Sequence, residues 1–306
     1  MADGAGSLVA RTHHPRVNDA VKSCLANGIA FSLPTHVELD LAERLIDWFP
    51  YAERVRFGKN GSDATSGAVR AARAYTGRDI VLCCGYHGWQ DWFIGTTTRN
   101  AGVPHTVSEL TKPFPFNDIN ALRQLLDRHA GEVAAIIMEP MGIVEPKPEY
   151  LETVRELATD NRAVLIFDEC WTGFRIHLRG AEGKFGVAPD IGCFGKALGN
   201  GIPISVVLGQ ADIMAVFDDA FFSFTFGGDT LGFAAANAVL DVLESEPVLD
   251  VVSSIGGQLV DGLNQAIKRK ELTENIGIVG YPARHVLEFR GDGADGLLLK
   301  SIFQQE

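Results

Sequence analysis

The residue of this chain best placed for chemistry is a lysine in an apolar stretch. Lys196 is the only charged residue between Asp190 and Asp212, and lysine is seldom buried in such surroundings. A desolvated lysine amine attacks carbonyl carbon, and the glycines nearby allow the backbone to approach a ligand. In the structural alternative, the lysine stem packs on a sheet while its amine reaches solvent. The isolation of this charge favours the chemical interpretation.

Two carboxylates follow stretches of apolar residues that are typical of buried strands. Asp168 comes directly after AVLIF, and Glu139 comes directly after VAAIIM. A carboxylate at the edge of a core needs a partner or becomes neutral. A helix cap or an ion pair is the ordinary structural explanation, and a charged ligand is the functional one.

A turn at the start of residues 60–77, a segment predicted to form a turn followed by a helix, could bind a phosphate group. Gly61 and Ser62 follow the strand ERVRFGK and lead into a helix. The first turn of a helix presents free backbone N–H groups and the positive end of the helix dipole, which suit an anion. An ordinary N-cap provided by Ser62 or Asp63 explains the same residues.

An aromatic loop follows the strand DIVLCC. Tyr86 and His87 lie between Gly85 and Gly88. The glycines would allow the backbone to pass close to a ligand while an aromatic ring projects toward it. An aromatic loop that packs on the edge of the sheet is the structural alternative.

Together these features predict a site for pyridoxal 5′-phosphate. The lysine would hold the aldehyde as a Schiff base, and the acid at position 168, which lies 28 residues before it, would keep the ring nitrogen protonated. A protonated ring accepts electrons from the reacting carbon. The aromatic side chain and the phosphate turn complete the site.

The elements that must position these residues are those of an α/β protein. Apolar strands alternate with helices, which predicts a mostly parallel sheet covered on both faces. Ligands of such sheets bind at the carboxyl ends of the strands. Strands are predicted within residues 53–59, 79–84, 133–140, 163–169, 190–195 and 204–209.

Composition excludes several classes of protein. The 306 residues are 46% hydrophobic and 22% charged, which is typical of a globular protein and excludes a disordered chain. The net charge of −12 argues against nucleic acid and anionic membranes as partners. No apolar run is long enough for a membrane span, and the first residues lack the pattern of a secretory signal.

The five cysteines do not form a recognisable disulfide or metal-binding pattern. They are scattered and no two are spaced as C-x-x-C, so neither a zinc site nor any other metal site is predicted. Free thiols in a reducing compartment are the preferred interpretation, with a cytoplasmic location.

Six motifs in order resemble a known family. The chain is similar to the class III, or subgroup II, pyridoxal-phosphate aminotransferases of fold type I, and most similar to the glutamate-1-semialdehyde 2,1-aminomutase branch. The motifs are NGSDAT (60–65), YHGW (86–89), MEP (138–140), LIFDECWTGFR (165–175), PDIGCFGKALGNGIP (189–203) and FTFGGDTL (224–231). The resemblance implies a large domain with a mostly parallel sheet and a smaller α+β domain.

The resemblance also implies roles for residues at the matching positions. Lys196 matches the Schiff-base lysine, which also moves the proton between carbon atoms. Asp168 matches the partner of the pyridine nitrogen. Tyr86 matches the aromatic residue over the ring, and His87 lies beside it.

The remaining matches concern the phosphate and the rim of the site. Gly61 and Ser62 match the phosphate-binding turn. Thr225 matches a threonine that reaches the phosphate bound in the neighbouring subunit, so the resemblance implies a homodimer with shared active sites. Cys170 stands where the family usually has the valine under the ring, and Glu139 matches a glutamate near the site.

Besides Cys170, the chain departs from the family pattern in further places. Gly228, Asp229 and Thr230 replace the usual G-N-P, and the region after YHGW is shorter than in the aminomutase branch. The chain is also shorter than the family pattern at both ends, as a fragment, a mis-assigned start or a natural short form would be. We expect a truncated N-terminal helical segment (1–50), a large cofactor-binding domain (51–268) and a truncated small domain (269–306).

The sequence therefore predicts an aminotransferase that moves an amino group from a small-molecule donor to a carbonyl acceptor through Lys196. Two alternatives stay open. The first is glutamate-1-semialdehyde 2,1-aminomutase, which needs no separate donor. The second is a non-catalytic remnant or fragment that binds the cofactor.

Overall fold

A computed structural model describes residues 9–10, 13–291 and 294–305. The chain divides into two compact units, one formed by Met1–Pro140 and Pro146–Glu246 and the other by Met141–Glu145 and Pro247–Glu306. The three-part division expected from the sequence, with its boundaries after residues 50 and 268, stays a prediction. No helix in the described ranges is long and apolar enough to cross a membrane.

The first unit contains a seven-stranded sheet in the order β1-β7-β6-β5-β4-β2-β3. Neighbouring strands from β6 through β5, β4 and β2 to β3 are parallel, whereas β7 runs antiparallel to both β1 and β6. This mostly parallel α/β sheet confirms the expected fold class. The strands are β1 (Arg54–Gly58), β2 (Ile80–Cys84), β3 (Thr111–Pro113), β4 (Val133–Met138), β5 (Val164–Asp168), β6 (Ile191–Phe194) and β7 (Ser205–Gly209).

Helices connect the strands of this unit. They are α1 (Pro15–Leu25), α2 (His36–Trp48), α3 (Gly61–Thr76), α4 (Asp91–Ile94), α5 (His105–Ser108), α6 (Ile119–Arg128), α7 (Tyr150–Asp160), α8 (Gly180–Phe185), α9 (Ala211–Met214) and α10 (Thr230–Ser245). Among the described residues, two short 3₁₀ helices span Lys196–Gly199 and Ala215–Asp218. The segment Asp212–Phe217 is divided between α9 and the second of these 3₁₀ helices.

The core lies on both faces of the sheet because alternate side chains of a strand point to opposite sides. In β4, Ala135 and Ile137 join an apolar cluster with residues of α3 and α9. Ile136 and Met138 join a second cluster with residues of α6, α7 and α8. Every residue of β4 is buried, and full burial of a large apolar side chain contributes about 1.5–3 kcal/mol. This two-sided burial explains why the strand is apolar throughout.

The second unit contains two long helices and an antiparallel hairpin. α11 spans Val248–Arg269, β8 spans Ile276–Tyr281, β9 spans Arg284–Phe289 and α12 spans Ala294–Gln305. The hairpin pairs Ile276 with Phe289 at one end and Tyr281 with Arg284 at the other. Short strands and the helix α12 therefore follow α11 in this unit.

Candidate active site

The predicted site residues come from neighbouring strand ends. Because β2, β4, β5 and β6 are adjacent and parallel, their carboxyl ends meet at one edge of the sheet. Tyr86 and His87 follow β2, Glu139 follows β4, Asp168 ends β5 and Lys196 follows β6. The fold therefore brings together at this edge the residues that the sequence singled out after each strand.

Asp168 is buried and is held by two donors. Its Oδ2 accepts a hydrogen bond of 2.9 Å from His87 Nδ1, and its Oδ1 accepts one of 3.1 Å from the Cys170 N–H. The His87 ring stacks on Trp92, with centroids 6.2 Å apart, and meets Phe93 edge-on at 5.2 Å. Its buried Nε2 has no hydrogen-bond partner among the described residues. These contacts fix the direction in which the carboxylate points.

Cys170 lies between the first turn of α3 and the residues before Lys196. A Cβ atom at Gly61 would lie 3.0 Å from the Cys170 sulfur, and one at Gly195 would lie 3.8 Å from it. Burial raises the pKa of the Cys170 thiol well above its usual value, as does the nearby Asp168 carboxylate, while the positive charge of Lys196 acts in the opposite direction. The cysteine thus connects the predicted phosphate turn with the predicted lysine.

The N-terminus of α3 is capped by Asn60, and not by Ser62 or Asp63 as the sequence suggested. The Asn60 side chain accepts a hydrogen bond of 3.1 Å from the Asp63 N–H, and the Asp63 carboxylate accepts one of 3.0 Å from the Asn60 N–H. This is a reciprocal capping box,. Asn60 is therefore the N-cap, and Gly61 and Ser62 occupy the first turn, where a helix offers no internal acceptor for their N–H groups.

The loop after β2 is fastened to this turn. The Ser62 hydroxyl accepts a hydrogen bond of 3.2 Å from the Trp89 N–H, and the Thr65 hydroxyl donates one of 2.8 Å to the His87 carbonyl. Gly88 has a φ of 103°, and a Cβ atom there would lie 2.1 Å from the Ser62 oxygen. Only glycine fits this position, because both its conformation and its surroundings exclude a side chain.

Tyr86 and Glu139 meet at the rim of the site. The Tyr86 N–H donates a hydrogen bond of 3.1 Å to Glu139 Oε2. The Tyr86 ring contacts Phe93 edge-on at 5.6 Å, and the residue is 61% exposed. Glu139 therefore orients the backbone at Tyr86, and the tyrosine presents much of its surface to solvent.

Lys196 begins the first 3₁₀ helix in a conformation unusual for lysine. Its φ is 42°, in the left-handed region that residues other than glycine occupy at a cost. The side chain is partly buried, and the amine forms no hydrogen bond or ion pair with any residue that the structure describes. A backbone held in this conformation indicates that the position of Lys196 is imposed by its surroundings.

Thr225 lies in the loop between the second 3₁₀ helix and α10. It is exposed, and its neighbour Phe226 is 65% exposed. Phe224 packs toward the turn, since its ring lies 3.5 Å from the position of a Cβ atom at Gly58. The structure therefore places Thr225 on an outward-facing loop anchored near the turn.

The family profile described as aminotransferase class-III matches residues 2–290. The chain belongs to the class III aminotransferase family. Pyridoxal phosphate is the cofactor of this family.

Curated relatives and a solved structure agree with this assignment. The chain is 35% identical over 297 residues to 3-aminobutyryl-CoA aminotransferase of Cloacimonas acidaminovorans, covering 94% of this chain and 70% of the relative. It is 37% identical over 281 residues to glutamate-1-semialdehyde 2,1-aminomutase of Syntrophobacter fumaroxidans, covering 85% of this chain and 64% of the relative.

The solved structure is that of the FumI protein of a Sphingopyxis species in its PLP internal aldimine form. Its TM-score is 0.86 at 27% identity, over 92% of this chain and 69% of that one. The present chain covers between 64% and 70% of the length of each of these three proteins.

Sequence reasoning missed two pairings of side chains in the candidate site. The sequence placed His87 beside Tyr86 but did not pair it with Asp168, and it gave no role to Lys59, which forms an ion pair with Asp229. Only the departure at Asp229 from the usual G-N-P could have drawn attention to the second pair. The pairing of His87 with Asp168 has no local sequence signal, because the two residues are 81 positions apart in the chain.

Proposed function

We propose that Lys196, Asp168 and the turn at Gly61 and Ser62 are the residues with which this aminotransferase holds its cofactor. The observation that carries the proposal is the position of Lys196. Its amine has no partner in the described part of the chain, and it follows the strand next to that of Asp168, whose carboxylate His87 holds in place. In this proposal the enzyme moves an amino group from a small-molecule donor to a carbonyl acceptor.

The chemistry of these groups matches pyridoxal phosphate at each position. The N–H groups of the first turn of α3 suit a phosphate dianion. The buried carboxylate of Asp168 suits a protonated pyridine nitrogen, because a buried negative charge is stabilised by a positive partner. An unpaired lysine amine suits an aldehyde carbon. Cys170 occupies the floor between these groups with a small apolar side chain, and Tyr86 and His87 flank the site.

When bound, pyridoxal phosphate supplies a ring that accepts electrons from the carbon next to the substrate nitrogen. The protein residues direct this chemistry. Asp168 holds the proton on the pyridine nitrogen, and His87 keeps the carboxylate oriented for that contact. The amine of Lys196 would be the base that takes a proton from one carbon atom and returns it to another. The first turn of α3 keeps the phosphate in place throughout the reaction.

Borohydride reduction in the presence of pyridoxal phosphate tests this proposal. We expect reduction to attach the cofactor covalently to the peptide that contains Lys196, as mass spectrometry would detect. Lys196→Ala should lose both the label and the transamination, whereas Lys22→Ala, an exposed lysine of α1, should keep both. Transamination at the wild-type rate by Lys196→Ala would overturn the assignment of this residue. Binding without turnover by the wild type would indicate the non-catalytic alternative.

A second candidate function is that of an aminomutase. The 37% identity to glutamate-1-semialdehyde 2,1-aminomutase favours it, while the 35% identity to 3-aminobutyryl-CoA aminotransferase favours the first candidate. The two differ in their need for an amino donor. Conversion of glutamate-1-semialdehyde without any added donor would establish the aminomutase, and dependence on a donor would exclude it.

We also propose a homodimer in which Thr225 reaches the cofactor phosphate of the neighbouring subunit. The exposed loop that carries Thr225 supports this proposal, since Phe221 and Phe226 on the same loop are 75% and 65% exposed and large apolar side chains in such positions are typical of interfaces.

Mixing two defective variants tests the shared site. Lys196→Ala lacks the lysine, and Thr225→Ala lacks the threonine. If Thr225 acts across the dimer, a mixed dimer contains one site with both residues, so mixing should restore tight cofactor binding and activity. A monomer that binds the cofactor normally, or mixtures without any restoration, would contradict the proposal.

A cytoplasmic location completes the proposed function. Five free cysteines support it, because reduced thiols are typical of reducing compartments. Cell fractionation followed by immunodetection would test the location, and recovery of the protein from an oxidising compartment would contradict it.

A further inference from the structure

The Lys59 side chain joins three segments of the first unit. Its amine forms an ion pair with Asp229 and donates a hydrogen bond of 3.0 Å to the Pro203 carbonyl. Its backbone N–H donates one of 2.9 Å to the Asp63 carboxylate within the capping box. Lys59 therefore connects the turn before α3 with the segment before β7 and with the residue that precedes α10.

Asp229 uses its two oxygens for different purposes. Oδ1 caps α10 by accepting hydrogen bonds of 2.9 Å and 3.3 Å from the N–H groups of Leu231 and Gly232, while Oδ2 pairs with Lys59. A Cβ atom at Gly232 would lie 3.2 Å from the Lys59 nitrogen, so the amine lies directly against the first turn of α10. The ion pair thus fixes the start of α10 relative to the turn before α3.

The loop that carries Thr225 is attached to the same region at both of its ends. Before Thr225, the Phe224 ring lies close to Gly58 and packs edge-on against Phe222 at 5.0 Å. After Thr225, the loop ends at Asp229 and its ion pair with Lys59. Thr225 therefore lies between one apolar attachment and one ionic attachment to the turn region.

The burial of the ion pair makes it more than a surface contact. The side chains of Lys59 and Asp229 are 18% and 21% exposed, whereas those of Lys22 and Asp19 on α1 are 71% and 73% exposed. Solvent and salt screen partly buried charges much less than exposed ones, and exposed pairs contribute little. The exposed pair therefore provides a matched control for the buried one.

We infer that Lys59 and Asp229 are positioning residues that hold the Thr225 loop in register with the turn at Gly61 and Ser62. The inference rests on the proposed function, which assigns one cofactor phosphate to this turn and the neighbouring subunit's phosphate to Thr225. The ion pair joins the two phosphate contacts that a single chain makes. A displacement of the turn in one site is thereby transmitted to the loop that serves the other site.

Three variants test this inference with little disturbance of the helix. Lys59→Met keeps the apolar stem and removes the charge. Asp229→Asn keeps a good N-cap for α10 and removes the charge. The third variant carries both substitutions, and the control carries Lys22→Met with Asp19→Asn. The readouts are hydrogen exchange of residues 222–230 in the apoprotein and the dissociation constant of pyridoxal phosphate.

We expect each single variant to speed exchange in the loop by at least about fivefold and to weaken cofactor binding by at least about threefold, because both residues form one coupled unit. The double variant should resemble either single variant, and the control should match the wild type. Unchanged exchange, multiplicative effects in the double variant, or unchanged cofactor affinity would each overturn the inference. A wild-type protein that does not bind the cofactor would instead contradict the proposed function, and the exchange result would still decide whether the pair positions the loop.

Discussion

The His87 imidazole and the Asp168 carboxylate, 81 residues apart in the sequence, form a buried hydrogen bond of 2.9 Å. Their side chains are 0% and 5% exposed. Hydrogen bonds to charged groups in such surroundings contribute about 1.5–3 kcal/mol, and a buried carboxylate that loses a donor carries the cost of desolvation. The pair therefore holds in place the carboxylate on which the proposed chemistry depends.

Substitutions at His87 should distinguish the contribution of its hydrogen bond to stability from the contribution of its ring packing. We expect His87→Leu to lower the free energy of unfolding of the apoprotein by about 2 kcal/mol or more, because Asp168 loses a donor. His87→Asn can offer an N–H near the position of Nδ1 and should lose less. Urea unfolding measures both, with His105→Gln as the control, because His105 is exposed and pairs with an exposed glutamate. Equal losses in the Leu and Asn variants would show that ring packing alone is responsible.

The buried Glu169 predicts a specific dependence of stability on pH. Burial raises the pKa of Glu169 from 4.5 to about 7, although the Thr172 hydroxyl and the Ala181 N–H both donate hydrogen bonds to it. Between these pKa values the unfolded chain releases the proton while the folded chain keeps it, so the free energy of unfolding falls as the pH rises. The contribution amounts to about 3 kcal/mol across the interval.

Glu169→Gln should remove this dependence, since glutamine stays neutral at every pH. Unfolding of the wild type and of this variant is measured at several values between about pH 4.5 and 8. We expect the wild type to lose stability relative to the variant as the pH rises to about 7, with no further relative change above it. Parallel profiles for the two proteins would contradict the assignment of the buried proton to Glu169.

Much of the fold could be predicted because burial imposes a visible pattern on the sequence. Val133–Met138 is apolar throughout because both faces of β4 are covered, and this pattern predicts a parallel strand. The region between Asp91 and Arg128 lacked such signals. α4 and α5 contain four residues each, too few for a helical period to appear, and β3 contains three residues including Pro113.

The sequence predicted only those site residues that lie at strand ends or within short motifs. Lys196 and Asp168 are recognisable because charges stand out after apolar strands. The contact of His87 with Asp168 and that of Lys59 with Asp229 depend on how distant segments meet in three dimensions. Their residue types are common on protein surfaces, so no local pattern shows which of these residues meet.

The cysteines should differ in reactivity according to burial. Cys24 is partly exposed, and the other four are buried. Burial raises the pKa of Cys83 and of Cys84 to about 12, so their reactive thiolates are scarce near neutral pH. We expect iodoacetamide at about pH 8 to label Cys24 at least about tenfold faster than the rest.

Mass spectrometry of native and unfolded protein measures this labelling. Cys24→Ser should leave no fast thiol in the native protein, and all five cysteines should react after unfolding. Fewer than five reactive thiols without reductant would indicate a disulfide and would contradict the expectation of free cysteines. Rapid native labelling of Cys170 would contradict its placement on the closed floor of the site.

The close approach of Gly61 to Cys170 predicts that the effect of Gly61→Ala on stability depends on the residue at position 170. A Cβ atom at Gly61 would lie 3.0 Å from the Cys170 sulfur and 3.6 Å from the Cys170 Cβ, so Gly61→Ala overpacks the floor of the site. Overpacking costs about 1–3 kcal/mol, which exceeds the gain of up to about 1 kcal/mol that alanine offers a helix. We expect Gly61→Ala to lower the free energy of unfolding.

Cys170→Ala removes the sulfur, and in that background Gly61→Ala should cost less than half as much, because the close contact is gone. Gly262→Ala in α11 is the control, since a Cβ atom there meets nothing within 4 Å and the substitution should stabilise the helix. Urea unfolding of the four combinations at positions 61 and 170 gives the coupling between the two residues. An equal cost of Gly61→Ala in both backgrounds would show that the strain lies in the turn itself and not in its contact with Cys170.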